Sequence, residues 1–193
     1  MDPINAVLEV YLKENSDLKR EEIKIICSYF IEECLEKEKP LVVEGEKFKK
    51  IVFVADGILR VFVIDPNGEE VVKNFLEPNN FFSEIESFDK NLPAVINVSA
   101  VTDCKILTLS KSNAELLVKE LPQWEYMMKL GAMQAMNDMI RKQNFLRIGN
   151  SVDQYRHFVE YFPNLAQQVP LKYIASYLRI TQSSLSRIRK QGW

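Results

Sequence analysis

The stretch VPLKYIASYLRITQSSLSRIRKQ, Val169 to Gln191, has the pattern of two short helices joined by a tight turn. Its first half carries apolar residues at helical spacing, and these define one inner face: Leu171, Ile174, Ala175 and Leu178. The chain turns at Arg179-Ile180, and Thr181 offers a hydroxyl cap to a second helix. The inner residues of that helix are Leu185 and Ile188. The stretch therefore predicts a compact helical hairpin.

The outward side of the second helix is made of hydroxyl, amide and guanidinium groups, at Gln182, Ser183, Ser184, Ser186, Arg187 and Arg189. Such groups reach phosphates and base edges when a helix lies in the major groove of DNA. The predicted DNA-binding residues are Thr181, Gln182, Ser183, Ser184, Arg187 and Arg189. Among them Arg187 is expected to read a base edge, and Thr181, Ser184 and Arg189 are expected at the backbone. The pattern favours a DNA-binding helix-turn-helix over a plain helical hairpin.

Charge is divided unevenly along the chain. From Pro170 to the C-terminus there is no Asp or Glu, and the cations are Lys172, Arg179, Arg187, Arg189 and Lys190, so this tail carries +5. Since the whole chain carries −2, the part that precedes Pro170 carries −7. An acidic body with a basic tail predicts that a polyanion binds at the C-terminal end. On charge alone, a solvated helix face is the alternative.

Upstream of the hairpin, the spacing of apolar residues along the 193-residue chain changes twice. The segment from Met1 to Glu38 has helical spacing. From Pro40 to Ser110, short runs rich in Val, Ile and Phe alternate with turn signals such as Asp56-Gly57 and Pro66-Asn67-Gly68. Strands this closely spaced are typical of an antiparallel sandwich or barrel. Hydrophobic residues make up 47% of the chain, which is enough to fill a core.

A long helix is predicted from Pro122 to about Arg147, after a short helix over residues 112–120. Small and flexible residues follow each other along it at spacings of four, three and four: Met128, Ala132, Ala135 and Met139. This stripe is a candidate dimer seam, although the same pattern also fits a face packed on the protein's own barrel. Gly149 and Asn150 end the helix, and Ser151 with Gln154 fits a capping box for the next one.

The whole chain resembles the CRP/FNR (catabolite activator protein) family of bacterial transcription regulators. The strongest match is PLKYIASYLRITQSSLSRIRK, followed by VADGILRVF and DPNGEEVVKNFLEPNNFFSEIESF in the family's order. The resemblance implies an α+β fold in three parts. Residues 1–121 would form N-terminal helices with an antiparallel β-roll like a cyclic-nucleotide-binding domain, residues 122–148 a dimerisation helix, and residues 149–193 a helix-turn-helix domain.

The resemblance also implies the partners. The protein would be a homodimer that binds a two-fold site on double-stranded DNA, and RNA polymerase would be a further partner. Three positions that commonly read bases in the family hold Gln182, Ser183 and Arg187. Arg187 matches the family, whereas the other two depart from its common Arg and Glu pair, so the operator sequence does not transfer. Arg179 stands where many relatives have glycine, and it is strained if left-handed.

The segment SEIESFDKNLPAVINVSA, Ser83 to Ala100, corresponds to the family's effector pocket. In cyclic-nucleotide-binding relatives a Glu holds the ribose hydroxyl and an Arg-Ser pair holds the phosphate. Glu84 matches the Glu, but the pair falls within Ala94-Val95-Ile96, which has no cation. An anionic phosphate would lose its hydration there without gaining a partner. We therefore expect a degenerate pocket that does not respond to cyclic AMP, bounded by Ser83, Glu84, Ile85, Val95 and Ile96, with an unknown small-molecule effector or none.

Other chemistry finds little support. His157 has no second His or Cys nearby, which predicts a packing or surface residue and no metal site. Cys27, Cys34 and Cys104 are too few and too scattered for an iron–sulfur site or a disulfide framework. No catalytic triad or phosphate loop can be picked out, so neither an enzyme nor a cofactor is expected. Because the sequence shows neither a long apolar run nor a signal peptide, we expect a cytoplasmic protein without a membrane partner.

Two functions from different classes remain. The first is a dimeric DNA-binding transcription regulator that does not respond to cyclic AMP. The second is a β-roll that binds a ligand or a protein, with a helical tail that does not bind DNA. The acid-free tail favours the first.

Overall fold

The structure, a computed structural model, describes residues 4–146 and 148–190. Its contacts divide the chain into two compact units. The first comprises the residues up to Val63 together with Phe75–Tyr126, and the second comprises Ile64–Asn74 and the residues from Met127 onward. The second unit therefore combines the tip of a β-hairpin with the C-terminal helices. Arg147 and Gln191, where two predicted segments end, lie outside the described residues.

The helices of the first unit are α1 Asn5–Asn15 and α2 Arg20–Tyr29 before the strands, α3 Ile85–Lys90 between two of them, and α4 Lys111–Glu120 after them. At the start of α2, the backbone N–H of Lys19 donates to the Glu22 carboxylate at 2.7 Å. The hydroxyl of Ser110 accepts the N–H of Asn113 at 3.2 Å and caps α4. The predicted helical lead-in up to Glu38 is too long, because strand pairing begins at Ile31. There, pairing with a distant strand outweighs a local spacing that looked helical.

Among the residues that the structure describes, eight strands form two four-stranded sheets. They are β1 Ile31–Leu35, β2 Pro40–Val42, β3 Lys50–Asp56, β4 Leu59–Ile64, β5 Glu70–Leu76, β6 Phe81–Phe82, β7 Asn97–Ala100 and β8 Cys104–Ser110. One sheet has the order β1-β8-β3-β6 and the other β2-β7-β4-β5. The pairing is antiparallel between β3 and β8 and between β4 and β7. β5 stands at an edge of its sheet.

The interior of the roll is filled by apolar side chains from both sheets, including Val52, Val54, Leu59, Val61, Val98 and Ile106. Alternation along β4 places Leu59 and Val61 inside and Arg60 on the other face of the strand. Gly57 makes the turn into β4 with φ +89°, and a Cβ there would lie 2.4 Å from the Asp103 carbonyl oxygen. Only glycine fits this turn without a shift of the backbone.

The C-terminal helices are α5 Gln123–Leu146, α6 Ser151–Tyr161, α7 Pro163–Gln168, α8 Leu171–Leu178 and α9 Gln182–Lys190. Asn150, rather than Ser151, caps α6. Its side-chain oxygen accepts the N–H of Val152 at 2.8 Å, and the Asp153 carboxylate accepts the N–H of Asn150 at 3.2 Å. The predicted box of Ser151 and Gln154 is thus wrong by one residue, because Asn150 already supplies a side-chain acceptor next to the break at Gly149.

These elements confirm the predicted α+β fold, with N-terminal helices, an antiparallel roll, a long helix and a C-terminal helical hairpin. Within the described residues, no helix combines the length and the apolar character needed to span a membrane.

Candidate nucleic-acid interface

The helical hairpin of α8 and α9 is held together by the inner face that the sequence predicts. Ile174, Ala175 and Leu178 are buried on α8, and Leu185 and Ile188 are buried on α9. Leu185 and Ile174 are fully excluded from solvent. Because these side chains alternate with polar ones at helical spacing, burial of the apolar stripe leaves the polar stripe of α9 facing outward.

The turn between the two helices depends on a strained residue. Arg179 has φ 57° and ψ 39°, which is the left-handed conformation. The N–H of Ile180 donates to the Ala175 carbonyl oxygen at 3.0 Å and closes the end of α8. A side chain in this conformation costs about 1–2 kcal/mol relative to a right-handed one. The strain expected for a residue other than glycine here is therefore present, and the turn forms in spite of it.

Thr181 caps α9, as predicted. Its hydroxyl oxygen accepts the backbone N–H of Ser184 at 3.1 Å, and the same hydroxyl donates to the Ser184 hydroxyl oxygen at 2.8 Å. The Ser183 hydroxyl lies 3.1 Å from it. These contacts fix the first turn of α9 and hold a group of hydroxyls at its N-terminus.

The outward residues of α9 form a stripe with Arg187 at its centre, whereas Arg189 lies at the margin of this stripe. Ser183, Arg187 and Lys190 follow at spacings of four and three and are exposed. Arg189 is exposed but lies beside the buried face of α9, next to Leu185 on the helix surface. Lys190 was not among the predicted residues. The helical spacing from Ser183 through Arg187 to Lys190 is the signal that identifies it.

The predicted effector residues lie in different surroundings. The Glu84 carboxylate is buried and accepts the N–H of Ser87 at 2.6 Å, so it caps α3. The Ser83 hydroxyl donates to the Lys50 carbonyl oxygen at 3.1 Å. Ile85 and Val95 are 64% and 59% exposed, which places them at the surface. Ile96 packs against the apolar interior of the roll.

Cations near this region are engaged elsewhere. Lys90 pairs with Glu86 at 3.0 Å on the surface of α3, and the hydrogen bond and charge of Glu86 raise the pKa of Lys90. Arg60 is buried on β4, and its guanidinium lies 4.0 Å from the centre of the Phe62 ring. Since Arg60 is on the face of β4 opposite the interior residues, its charge is not directed into the roll.

The long helix α5 places the predicted dimer stripe toward the more covered side of the chain. Met128 and Met139 are half-buried, whereas Ala132 and Ala135 are exposed. Leu146, which continues the same stripe, is buried. Part of this stripe is therefore already covered within a single chain.

A second apolar stripe lies about 145° around α5 from the first, at 100° per residue. It repeats at spacings of four and three: Tyr126, Leu130, Met133, Asn137, Ile140 and Asn144. Its four apolar members are between 40% and 65% exposed. The repeat is that of a heptad, with Leu130, Asn137 and Asn144 at one core position and the other three at the second. The sequence alone did not single out this stripe, because both stripes have helical spacing.

Aromatic rings connect the end of α5 with α6. The centre of the Phe145 ring lies 4.3 Å from that of His157 and 4.9 Å from that of Tyr161. His157 therefore acts as a packing residue at the joint between the two helices. Among the described residues, no group of three or more His, Cys, Asp and Glu side chains could hold a metal ion.

Cys27 and Cys104 have the chemistry of structural cysteines. Burial, together with the charge of Glu9, raises the pKa of Cys27 to about 11. Burial is also the main cause that raises the pKa of Cys104. A thiol with a raised pKa stays protonated at neutral pH and is a poor nucleophile. Neither of these two cysteines is therefore suited to redox sensing.

Comparison with known proteins agrees with this architecture. The cyclic nucleotide-binding domain family matches residues 32–120. The cAMP-activated global transcriptional regulator CRP of Escherichia coli O6:H1 is 24% identical over 130 residues, which cover 66% of this chain and 60% of the relative. The chain thus spans about 60% of the length of this curated relative.

Two solved structures share the fold at low sequence identity. FixK2 from Bradyrhizobium japonicum has a TM-score of 0.71 at 15% identity and covers 84% of this chain and 83% of its own. The c-di-GMP responsive global regulator CLP of Xanthomonas campestris has a TM-score of 0.69 at 14% identity and covers 90% and 91%. The structural likeness therefore extends beyond residues 32–120, which the domain family matches.

Proposed function

We propose that this chain, which is similar to regulators of the CRP/FNR type in sequence and fold, is a dimeric transcription regulator that binds double-stranded DNA through α9. The observation that carries the proposal is the composition of the α8–α9 hairpin. Five cations and no acid occur from Pro170 onward, and the outward stripe of α9 combines two of them, Arg187 and Lys190, with the hydroxyl of Ser183. Such a surface is complementary to DNA phosphates and can present donors to base edges.

The second part of the proposal is the dimer contact. Large apolar side chains at heptad positions of α5 are exposed in the single chain, so a second copy of α5 would cover them. Asn137 and Asn144 occupy the same heptad position as Leu130. An Asn at this position pairs best with the same Asn of a parallel, in-register partner. Parallel helices would set two copies of α9 about 34 Å apart, which is one turn of DNA.

The proposed function is tested by measuring the affinity for duplex DNA as a function of salt. Binding by phosphate neutralisation releases counterions, which makes log K fall steeply with log[salt]. A β-roll module whose tail serves a protein partner would show no such binding.

We expect neither cyclic AMP nor cyclic GMP to bind in the roll. The interior is filled by its own apolar side chains, the Glu84 carboxylate caps α3, and no cation stands at Ala94-Val95-Ile96. Calorimetric titration of the folded protein should give no heat with either nucleotide up to about 1 mM, where even weak binding is seen. Titration with duplex DNA is the positive control. A dissociation constant in the low micromolar range for either nucleotide would contradict this expectation.

A further inference from the structure

The hydroxyl of Ser176 on α8 is hydrogen-bonded to the edge of β5. The backbone N–H of Val72 donates to the Ser176 Oγ at 3.0 Å, and the same hydroxyl donates to the Glu70 carbonyl oxygen at 3.0 Å. A strand presents the C=O of one residue and the N–H of the residue two further on along the same edge. Since β5 stands at the edge of its sheet, one hydroxyl takes the place that a residue of a neighbouring strand would occupy.

The side of α8 that makes this contact also carries its positive charge. Lys172 and Ser176 are four residues apart and share a face of α8, and Arg179 follows at the turn. The first helix of a helix-turn-helix crosses the DNA backbone. Lys172 and Arg179 are exposed and would serve there as phosphate contacts. In the structure, the backbone of β5 occupies this side of α8 at Ser176, between the two cations.

The β-hairpin between β4 and β5, which contacts this side of α8, is acidic. Residues 64–74 contain Asp65, Glu69, Glu70 and one cation, Lys73. The Asp65 carboxylate accepts the N–H groups of Glu69 at 2.9 Å and Asn67 at 2.8 Å. These hydrogen bonds, the one from Glu69 first, lower the pKa of Asp65, so it remains ionised at neutral pH. The hairpin thus brings backbone acceptors and negative charge to a surface that a phosphate chain would also fit.

The contact between α8 and β5 is incompletely packed. A cavity of about 110 Å³ remains beside it, lined in part by Val72, Leu146 and Leu178. Well-packed interiors leave few voids larger than a water molecule. A contact with two hydrogen bonds and incomplete packing is weak enough for a DNA strand to replace.

Resting on the proposed function, we propose that the hairpin of residues 64–74 competes with DNA for α8 and that the Ser176 hydroxyl is the latch of this autoinhibited state. One hydroxyl proton cannot be donated to Glu70 and to a phosphate at once. The β5 backbone within 3.0 Å of Ser176 also excludes a DNA strand from the same place. Binding of DNA therefore requires that β5 be released.

The test compares Ser176→Ala with Ser176→Thr, which keeps the hydroxyl, in the full chain. Ser176→Ala should bind a random-sequence duplex about tenfold more tightly than the wild type, because the competing state loses two hydrogen bonds. Ser176→Thr should bind like the wild type. Unchanged or weaker binding by Ser176→Ala would overturn the proposal and leave α8 merely supported by the hairpin.

Hydrogen exchange of the Val72 amide gives a second readout. In the free wild type this amide should be protected, and a saturating random-sequence duplex should remove the protection, as Ser176→Ala does without DNA. A wild type that binds DNA while Val72 stays protected would overturn the latch and leave the proposed function standing. A wild type that binds no duplex at all would contradict both.

Discussion

Replacement of Met133 by Glu should dissociate the dimer and weaken binding to a two-fold DNA site by at least about 100-fold, the usual gain from linking two binding modules. Met133 is 60% exposed in the single chain and lies in the heptad stripe of α5. In a parallel dimer the two introduced carboxylates would face each other in an apolar seam, where a buried charge without a partner is strongly unfavourable. Sedimentation velocity at micromolar protein and a DNA titration would measure both effects.

Ala135→Glu is the matched control. It introduces the same charge two residues away on an exposed position of the same helix, but on the other side of α5 from the heptad stripe. We expect this variant to remain dimeric and to bind DNA like the wild type. If Met133→Glu stays dimeric, or if Ala135→Glu becomes monomeric, the dimer contact lies instead along the stripe of Met128, Ala132, Ala135 and Met139.

Loss of the Arg187 side chain should have an effect of similar size. Arg187 is exposed at the centre of the outward stripe of α9, and its Nε reaches the Ser183 carbonyl oxygen only at 3.4 Å, so the guanidinium is held loosely. A bidentate contact to guanine is worth about 1–3 kcal/mol, hence about 2–6 kcal/mol for the two copies in a dimer. Arg187→Ala should lose this affinity on a selected site and tolerate any base at one position of each half-site.

Arg189→Ala removes the same charge from the same helix and serves as the control. Because Arg189 lies beside the buried face of α9, its loss should weaken binding evenly across sequences. Competition between the selected duplex and a scrambled one separates the two variants. If Arg187→Ala weakens both duplexes by the same factor, Arg187 contacts the backbone and another residue reads the base.

The sequence predicted most reliably those features that arise from short-range spacing. The inner faces of α8 and α9, the cap at Thr181 and the left-handed strain at Arg179 all involve residues within one or two helical turns. The start of β1 was missed because its pairing partner is β8, which lies far along the chain at Cys104–Ser110. A helical spacing over a few residues carries no information about such a partner.

Prediction of the functional surfaces was limited in the same way, because it also depends on contacts between residues that are distant in sequence. Two stripes of α5 have helical spacing, and the choice between them depends on which side the rest of the chain covers. Glu84 matches the family's ribose-binding Glu by its position in the sequence, and only the fold shows that its carboxylate caps α3. The contact of Ser176 with β5 joins residues that are distant in sequence, and a serine on a helix gives no sign of it.

The central claim, that the α8–α9 hairpin binds duplex DNA, is tested most directly by the salt dependence of the affinity. Five cations per chain allow up to ten phosphate contacts in a dimer. If six or more of them form, the slope of log K against log[salt] should be about −5 or steeper. Lys190→Gln should reduce its magnitude by about 2, one contact from each chain. A slope near zero, or the absence of binding at low salt, would contradict the claim.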